Sequence, residues 1–270
     1  MPFLRLLAAF FLSLAAMSLP AWAQETPPPS RCLAIANAVP GVVYANFTPA
    51  EAEAGDEVSI TYAGHSTYVI ETPAGVRVAT DYSGVYGSNP LPDVVTMNKA
   101  HRTHFTDLPD TGIANVLRGW NPAGGPARHA LTVGDIYIRN VPTDIRGFDG
   151  GMERDGNSIF IFEVAGLCIG HLGHLHHRLE TAHYAAIGRL DVVMVPIDGG
   201  MTLSLDAMSE IANRLYSSVI LPMHRHATGI AEFTGRMGPG FAVDFRDSRT
   251  LTISLRSLPQ RPTIIVLQGV

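Results

Sequence analysis

Apolar and polar residues first fall into strict alternation at Val58, Ile60 and Tyr62, after a mixed, alanine-rich stretch over residues 31–54. A period of two belongs to a strand with one face in a core and the other toward water. Thr67 to Glu71 and Val76 to Thr80 flank Thr72-Pro73-Ala74-Gly75, a turn signal, and predict a hairpin. Asp93 to Met97 predicts a short buried strand, and Leu131 to Asn140 alternates again. Gly147 to Asn157, with Arg146 and Arg154, reads as a mobile loop, either a plain connector or a gate over the site. Ser158 to Val164 and Leu167 to Gly170 enclose Ala165-Gly166 as a second hairpin, and Leu179 to Leu190 has a helical pattern. Two unbroken apolar runs, Asp191 to Ile197 and Ser218 to Met223, read as strands buried on both faces. Between them Ser204 is placed to cap a helix running through Leu215, with Asp206 in its first turn where the helix dipole favours an anion. Pro262 to Leu267 completes the set as a last strand. Hairpins interspersed with helices predict an α/β or α+β layered domain over residues 56–270.

Composition adds an address and removes some partners. Of 270 residues 46% are hydrophobic and 16% charged, enough apolar surface for a sizeable core. Residues 1–23 read as a secretory signal peptide. Arg5 supplies the positive start, Leu6 to Leu19 the apolar stretch, and Ala21-Trp22-Ala23 a small-x-small cleavage site. Residues 24–55 form an N-terminal linker and extension, of which Gln24 to Ser30, with Pro27-Pro28-Pro29, reads as stiff and exposed. The expected destination is secretion, into a bacterial periplasm, with no membrane association once the leader is gone. The formal net charge of -5 gives no electrostatic footprint for nucleic acid, so a small-molecule substrate is expected. The two cysteines, Cys32 and Cys168, either pair in an oxidising compartment or leave Cys168 as a buried thiol.

The chemistry gathers where strands end. Asp81 follows Thr80, His101 and His104 follow Met97, His171 follows Gly170, Asp198 follows Ile197, and His224 follows Met223. Four histidines, His171, His174, His176 and His177, crowd into one short segment. Sites in layered α/β proteins form beyond strand ends, and neutral imidazole is the commonest metal ligand. Three separated histidine clusters placed this way point to one metal centre. His101, His104, His171 and His224 are expected ligands; His174 is expected as a ligand or as a general acid beside the metal. Asp81 is expected to hold a histidine ring from behind, and His65 either faces the site or packs in the core. Lys99 is a candidate catalytic and anion-binding group, Arg102 and Asn157 candidate substrate contacts. His176, His177 and His226 read as surface or loop histidines.

The order of these pieces resembles the metallo-β-lactamase superfamily, in the branch similar to ascorbate-phosphate lactonase. The likeness runs over about residues 56–268 through Gly64-His65-Ser66-Thr67-Tyr68-Val69-Ile70, Thr80-Asp81, the His101 to His104 segment and Asn157. It continues through Gly170-His171-Leu172-Gly173-His174, Pro196-Ile197-Asp198-Gly199-Gly200 and Leu221-Pro222-Met223-His224. The resemblance implies a four-layer αββα sandwich with metal at one edge and hydrolysis by metal-activated water. Its His-x-His-x-Asp-His motif stands here as Lys99-Ala100-His101-Arg102-Thr103-His104, and the aspartate that usually bridges two metals stands as His174. A protonated lysine cannot bind metal and threonine is a poor ligand. One zinc ion is therefore expected rather than two, with iron, manganese, copper or nickel as alternatives. The expected activity is hydrolysis of a small ester, lactone or phosphodiester. The same two substitutions also fit a member of the fold that binds metal or ligand without catalysis.

Overall fold

A computed structural model describes residues 30–33, 55–147 and 149–270. The leader and most of the 24–55 extension lie outside the described residues. The chain folds into two sheets packed face to face. The first holds β1 (Val58–Gly64), β2 (Thr67–Glu71), β3 (Arg77–Ala79), β4 (Val94–Met97), β5 (Asn115–Arg118) and β13 (Thr250–Ile253), in the order β13-β1-β2-β3-β4-β5. The second holds β6 (Ala130–Val133), β7 (Ile136–Arg146), β8 (Met152–Val164), β9 (Leu167–His171), β10 (Val192–Pro196), β11 (Val219–Met223), β12 (Ala242–Phe245) and β14 (Thr263–Val266). Its order is β12-β14-β11-β10-β9-β8-β7-β6. Ile60, Tyr68, Ile70 and Val94 from the first sheet meet Ile138, Phe160, Phe162, Met194 and Leu221 from the second in one buried core.

Three helices, α1 (Thr181–Ile187), α2 (Leu205–Leu215) and α3 (Ile230–Met237), cover the outer face of the second sheet. In α2 the residues Leu205, Met208, Ile211 and Ala212 form the buried stripe, and Ser204 caps the start by accepting from Ala207 N at 3.3 Å. Among the described residues the outer face of the first sheet is covered by loops instead, with Tyr82, Phe105, Ile113 and Trp120 packed on Val95 and Met97. No described helix is long and apolar enough to cross a membrane.

Two sequence expectations change. The alternating run from Leu131 to Asn140 is broken at Gly134, whose φ of 54° makes the tight turn between β6 and β7. The segment 147–157 is not a plain loop. β7 and β8 stay paired out to Arg146↔Met152, across a register shift between Thr143 and Ile145. They form a long arm on which the β8 residues 152–154 are exposed and carry no apolar alternation, while Ile145 of β7 stays buried. Helix α3 follows Gly229 as its N-cap and contains Gly235, a poor helix former, and it holds its place by burying Phe233 and Met237.

Cys32 and Cys168 form a disulfide that fixes residues 30–33 to the second sheet. Around it Arg189 N donates to Cys32 O at 2.8 Å, and Arg31 N donates to Glu163 Oε2 at 2.8 Å. Glu163 also takes a buried bond from Arg139 at 2.8 Å, and the Arg139 guanidinium closes the end of α1 by donating to the Ala186 and Ile187 carbonyls.

β3, β4 and β5 run parallel in one sheet, and β9, β10, β11, β12 and β14 run parallel in the other. The loops leaving the carboxyl ends of β3, β4, β9, β10 and β11 meet at one edge of the sandwich.

Candidate metal centre

At that edge one ring nitrogen from each of His101, His104, His174 and His224 lies within 4.8 Å of the other three. The first two come from the loop after β4, the third from the loop after β9, and the last from the end of β11. Each sheet thus contributes two rings.

The rings are held from behind. His104 Nδ1 donates to Asp81 Oδ2 at 2.7 Å, and His224 Nδ1 donates to Asp198 Oδ2 at 2.9 Å. Asp81 is itself fixed by Asn98 Nδ2 at 2.8 Å. Asp198 accepts from Thr202 Oγ1 at 2.7 Å and from the backbone N–H groups of Gly200 and Thr202 at 3.0 and 2.8 Å. Burial alone would raise both carboxyls. For Asp81 it is outweighed by electrostatic interaction with the His171 and His104 rings and by the bonds from His104 and Asn98. For Asp198 the hydrogen bonds from His224, Thr202 and Gly200 outweigh it, and both groups lie below the usual carboxylate range. With each Nδ1 proton given to a carboxylate, the Nε2 atoms of His104 and His224 are left as lone pairs. Both are buried without a partner, as is His174 Nδ1. An unpaired buried polar atom costs about 1–3 kcal/mol. The rings that carry these atoms meet, with His101, in the group whose nitrogens lie within 4.8 Å, an arrangement that suits a cation.

Burial and the neighbouring rings favour the neutral form of His65, His101, His104 and His174. His101 is lowered to about 4 and His65 to about 3, in each case by desolvation first and then by adjacent histidines. His104 and His174 are lowered by the same causes. Metal competes with protons for these nitrogens, so uptake should hold from pH 7 down to pH 5 and fail as pH drops toward 4. The same depressed values mean that the unfolded chain takes up protons first. Stability of the metal-free protein should therefore fall as pH drops from about 6.5 to about 4. Metal retention and melting measured across pH 4–7 check both; release already complete at pH 6 would contradict the lowered values.

Of the expected ligands, His171 is the one placed elsewhere. Its Nε2 donates to Ser66 O at 2.8 Å, and its Nδ1 accepts from Gly173 N at 3.1 Å, which leaves no lone pair for a metal. It ties the loop after β1 to the loop after β9. Asn157, expected at the substrate, is fully buried and performs a similar task. Its Oδ1 accepts from His174 N at 2.9 Å while its Nδ2 donates to Thr143 Oγ1 at 2.8 Å. Gly173 lets these groups close up; at φ 63° a Cβ there would sit 2.3 Å from Asn98 Nδ2 and 2.6 Å from Asn157 Oδ1. Arg102 is exposed and outside the lining of the neighbouring cavity, because its neighbour His101 is the residue turned inward. His65 faces the cluster, its ring centroid 4.2 Å from that of His224. His65 and His224 both adopt positive φ, 53° and 47°, and His224 N donates to His65 O at 2.9 Å.

A cavity of about 380 Å³ opens beside His101 and His174, lined also by Lys99, Arg146, Glu153 and Met201. Lys99 is salt-bridged to Glu153 on the arm. The arm is pinned over the cavity by Arg146, whose backbone N–H donates to His176 Nδ1 at 2.9 Å and whose guanidinium donates to Gly200 O at 3.2 Å. His176 is thus part of the cavity wall rather than a surface histidine. Asn98 and the pairing of Asp198 with His224 had no signature in the sequence.

Residues 59–224 match the family model described as the beta-lactamase superfamily domain. A UPF0173 metal-dependent hydrolase of Methanosphaerula palustris is 26% identical over 181 residues, which span 61% of this chain and 82% of the relative. A structure from Thermotoga maritima, assigned to the Zn-dependent hydrolases of the metallo-beta-lactamase superfamily, aligns with a TM-score of 0.54 and 26% identity. That alignment covers 78% of this chain and 98% of the other. A metal-dependent hydrolase assignment from Parabacteroides distasonis aligns with a TM-score of 0.55 at 14% identity, over 67% and 89% of the two chains, and supports the fold alone. The matched span contains every residue of the four-histidine cluster and both carboxylates behind it, and the chain belongs to the beta-lactamase superfamily domain family.

Proposed function

We propose that this chain is an exported metal-dependent hydrolase acting on a small ester, lactone or phosphodiester, with one zinc ion held by His101, His104, His174 and His224. The observation that carries the reading is that ring nitrogens of four histidines lie within 4.8 Å of one another, with His104 and His224 held from behind by carboxylates and their Nε2 atoms buried without a partner. Neutral imidazoles suit zinc, and the relatives described as metal-dependent or Zn-dependent hydrolases support the same class. A single ion fits the charge better than two, because the carboxylates Asp81 and Asp198 sit behind the rings rather than between them. Bound there, the ion would polarise a carbonyl or phosphoryl group and lower the pKa of water.

The chain's own residues supply the rest. The cavity is within the usual size range for small ligands, about 300–1,000 Å³. Met201 and Ala100 contribute apolar surface to its wall, and Lys99 offers an ammonium to negative charge developing on the substrate. His174 is held by Asn157 at the cavity floor, close enough to His101 for their Nε2 atoms to lie 3.0 Å apart. Export is supported by the leader pattern and by the Cys32–Cys168 bond, which persists in oxidising compartments.

The test is metal content per chain after purification without chelators or a histidine tag, together with a panel of esters, lactones and phosphodiesters. About one zinc per chain with chelator-sensitive turnover is expected. Bound metal with no turnover on any substrate would instead support a metal-binding member of the family without catalysis, and no bound metal would end the reading.

A further inference from the structure

His104 and His224 each have a carboxylate behind Nδ1, but His101 does not. Its Nδ1 lies 2.7 Å from Thr103 Oγ1. The same hydroxyl lies 3.0 Å from His65 Nε2. Thr103 is exposed, so no packing requirement puts it between two imidazoles.

We propose that Thr103 is a positioning residue that orients His101 for metal and, through its single hydroxyl proton, sets which nitrogen of His65 carries hydrogen. The inference rests on the metal centre proposed above. The proton count is closed. For His101 to offer Nε2 to a cation while neutral, its proton must sit on Nδ1, where it is donated to Thr103 Oγ1. The hydroxyl then has one hydrogen to give and one neighbour left to take it, His65 Nε2. His65 must accept there and keep its own proton on Nδ1. No group gains or loses net charge; each imidazole holds one hydrogen throughout, and only the direction of the two hydrogen bonds is fixed. A ring 4.2 Å from His224 is thereby locked in one tautomer at the mouth of the centre. A neutral hydroxyl polarises His101 less than a carboxylate polarises His104 and His224, so His101 is held more weakly than those two.

Val is the discriminating substitution, because it keeps the shape of Thr and removes only the hydroxyl. Thr103→Val should bind zinc on the order of 10-fold more weakly in chelator competition, at the lower end of the range for losing an outer partner. Thr103→Ser should remain within about threefold of the starting protein. Nitrogen-15 NMR of the zinc-loaded protein should show His65 protonated on Nδ1 in the wild type and in T103S, and a mixture of tautomers in T103V. Melting curves should be alike for all three, which separates positioning from folding. Equal zinc affinity in T103V and wild type, or an unchanged His65 tautomer, overturns this proposal alone. A wild-type protein that takes up no zinc overturns the metal centre and this proposal with it.

Discussion

Replacing His224 with alanine is expected to empty the centre of metal and to reduce hydrolysis by more than the roughly 10–100-fold that losing an outer partner costs. Two effects add. The cluster loses one of its four nitrogens, and Asp198 is left facing a void with its strongest partner gone. Asp198 keeps its bonds from Gly200 and Thr202, so the loop should stay folded and the loss should be one of metal rather than of structure. His104→Ala should act alike. The informative contrast is His171→Ala, since His171 was equally plausible as a ligand from sequence. That change removes two buried hydrogen bonds, to Ser66 and Gly173, at about 0.5–1.5 kcal/mol each plus about 1–3 kcal/mol for each group left unpaired. It should lower the melting temperature markedly. Zinc analysis and thermal melts on the three variants decide the matter; an H224A protein that keeps a full equivalent of zinc would remove the centre described here.

Reduction of the Cys32–Cys168 bond, or its replacement by serines, should give the largest loss of stability of any local change. The two residues are 136 positions apart. By the chain-entropy argument, closing a loop of that length restricts the unfolded state by about 5 kcal/mol, against about 2–4 kcal/mol for typical disulfides. Total stabilities are about 5–15 kcal/mol, so the shift is a large share of the whole. Urea unfolding of the oxidised and reduced protein measures it directly. A shift below about 0.5 kcal/mol would mean that the unfolded chain gains nothing from the bond's removal, contrary to the entropic account. The metal centre itself should survive reduction, because Cys168 packs with the helical layer while His101, His104, His174 and His224 gather beyond the strand ends.

Much of this architecture was readable because each buried strand left an unbroken apolar run and each half-buried strand an alternation. β10 and β11 were legible for that reason, as was the cap at Ser204. The β7–β8 arm was not, because on the β8 side residues 152–155 are exposed or half-buried, and only Ile145 of β7 is buried that far out. For the site, strand ends located the chemistry but not the direction of each side chain. His171 ends β9 on the same face as Leu167 and Ile169, which places it inside the sandwich, whereas His174 lies past the turn. Nothing in a His-x-x-His spacing distinguishes the two. The Asp198–His224 pair joins residues from different strands. It follows from the parallel register Pro196↔Met223, a fact of pairing rather than of sequence.

The origin of the four rings, two from each sheet, gives the centre a mechanical part to play. A cation bound there would act as a clasp between the two leaves of the sandwich, since parting them would mean breaking coordination on one side or the other. Zinc at a hundred times its dissociation constant adds about 2.7 kcal/mol to folding. Here that increment would be shared by both leaves, so amide hydrogens in β4 and in β11, on opposite sides of the core, should slow their exchange together when the ion is added.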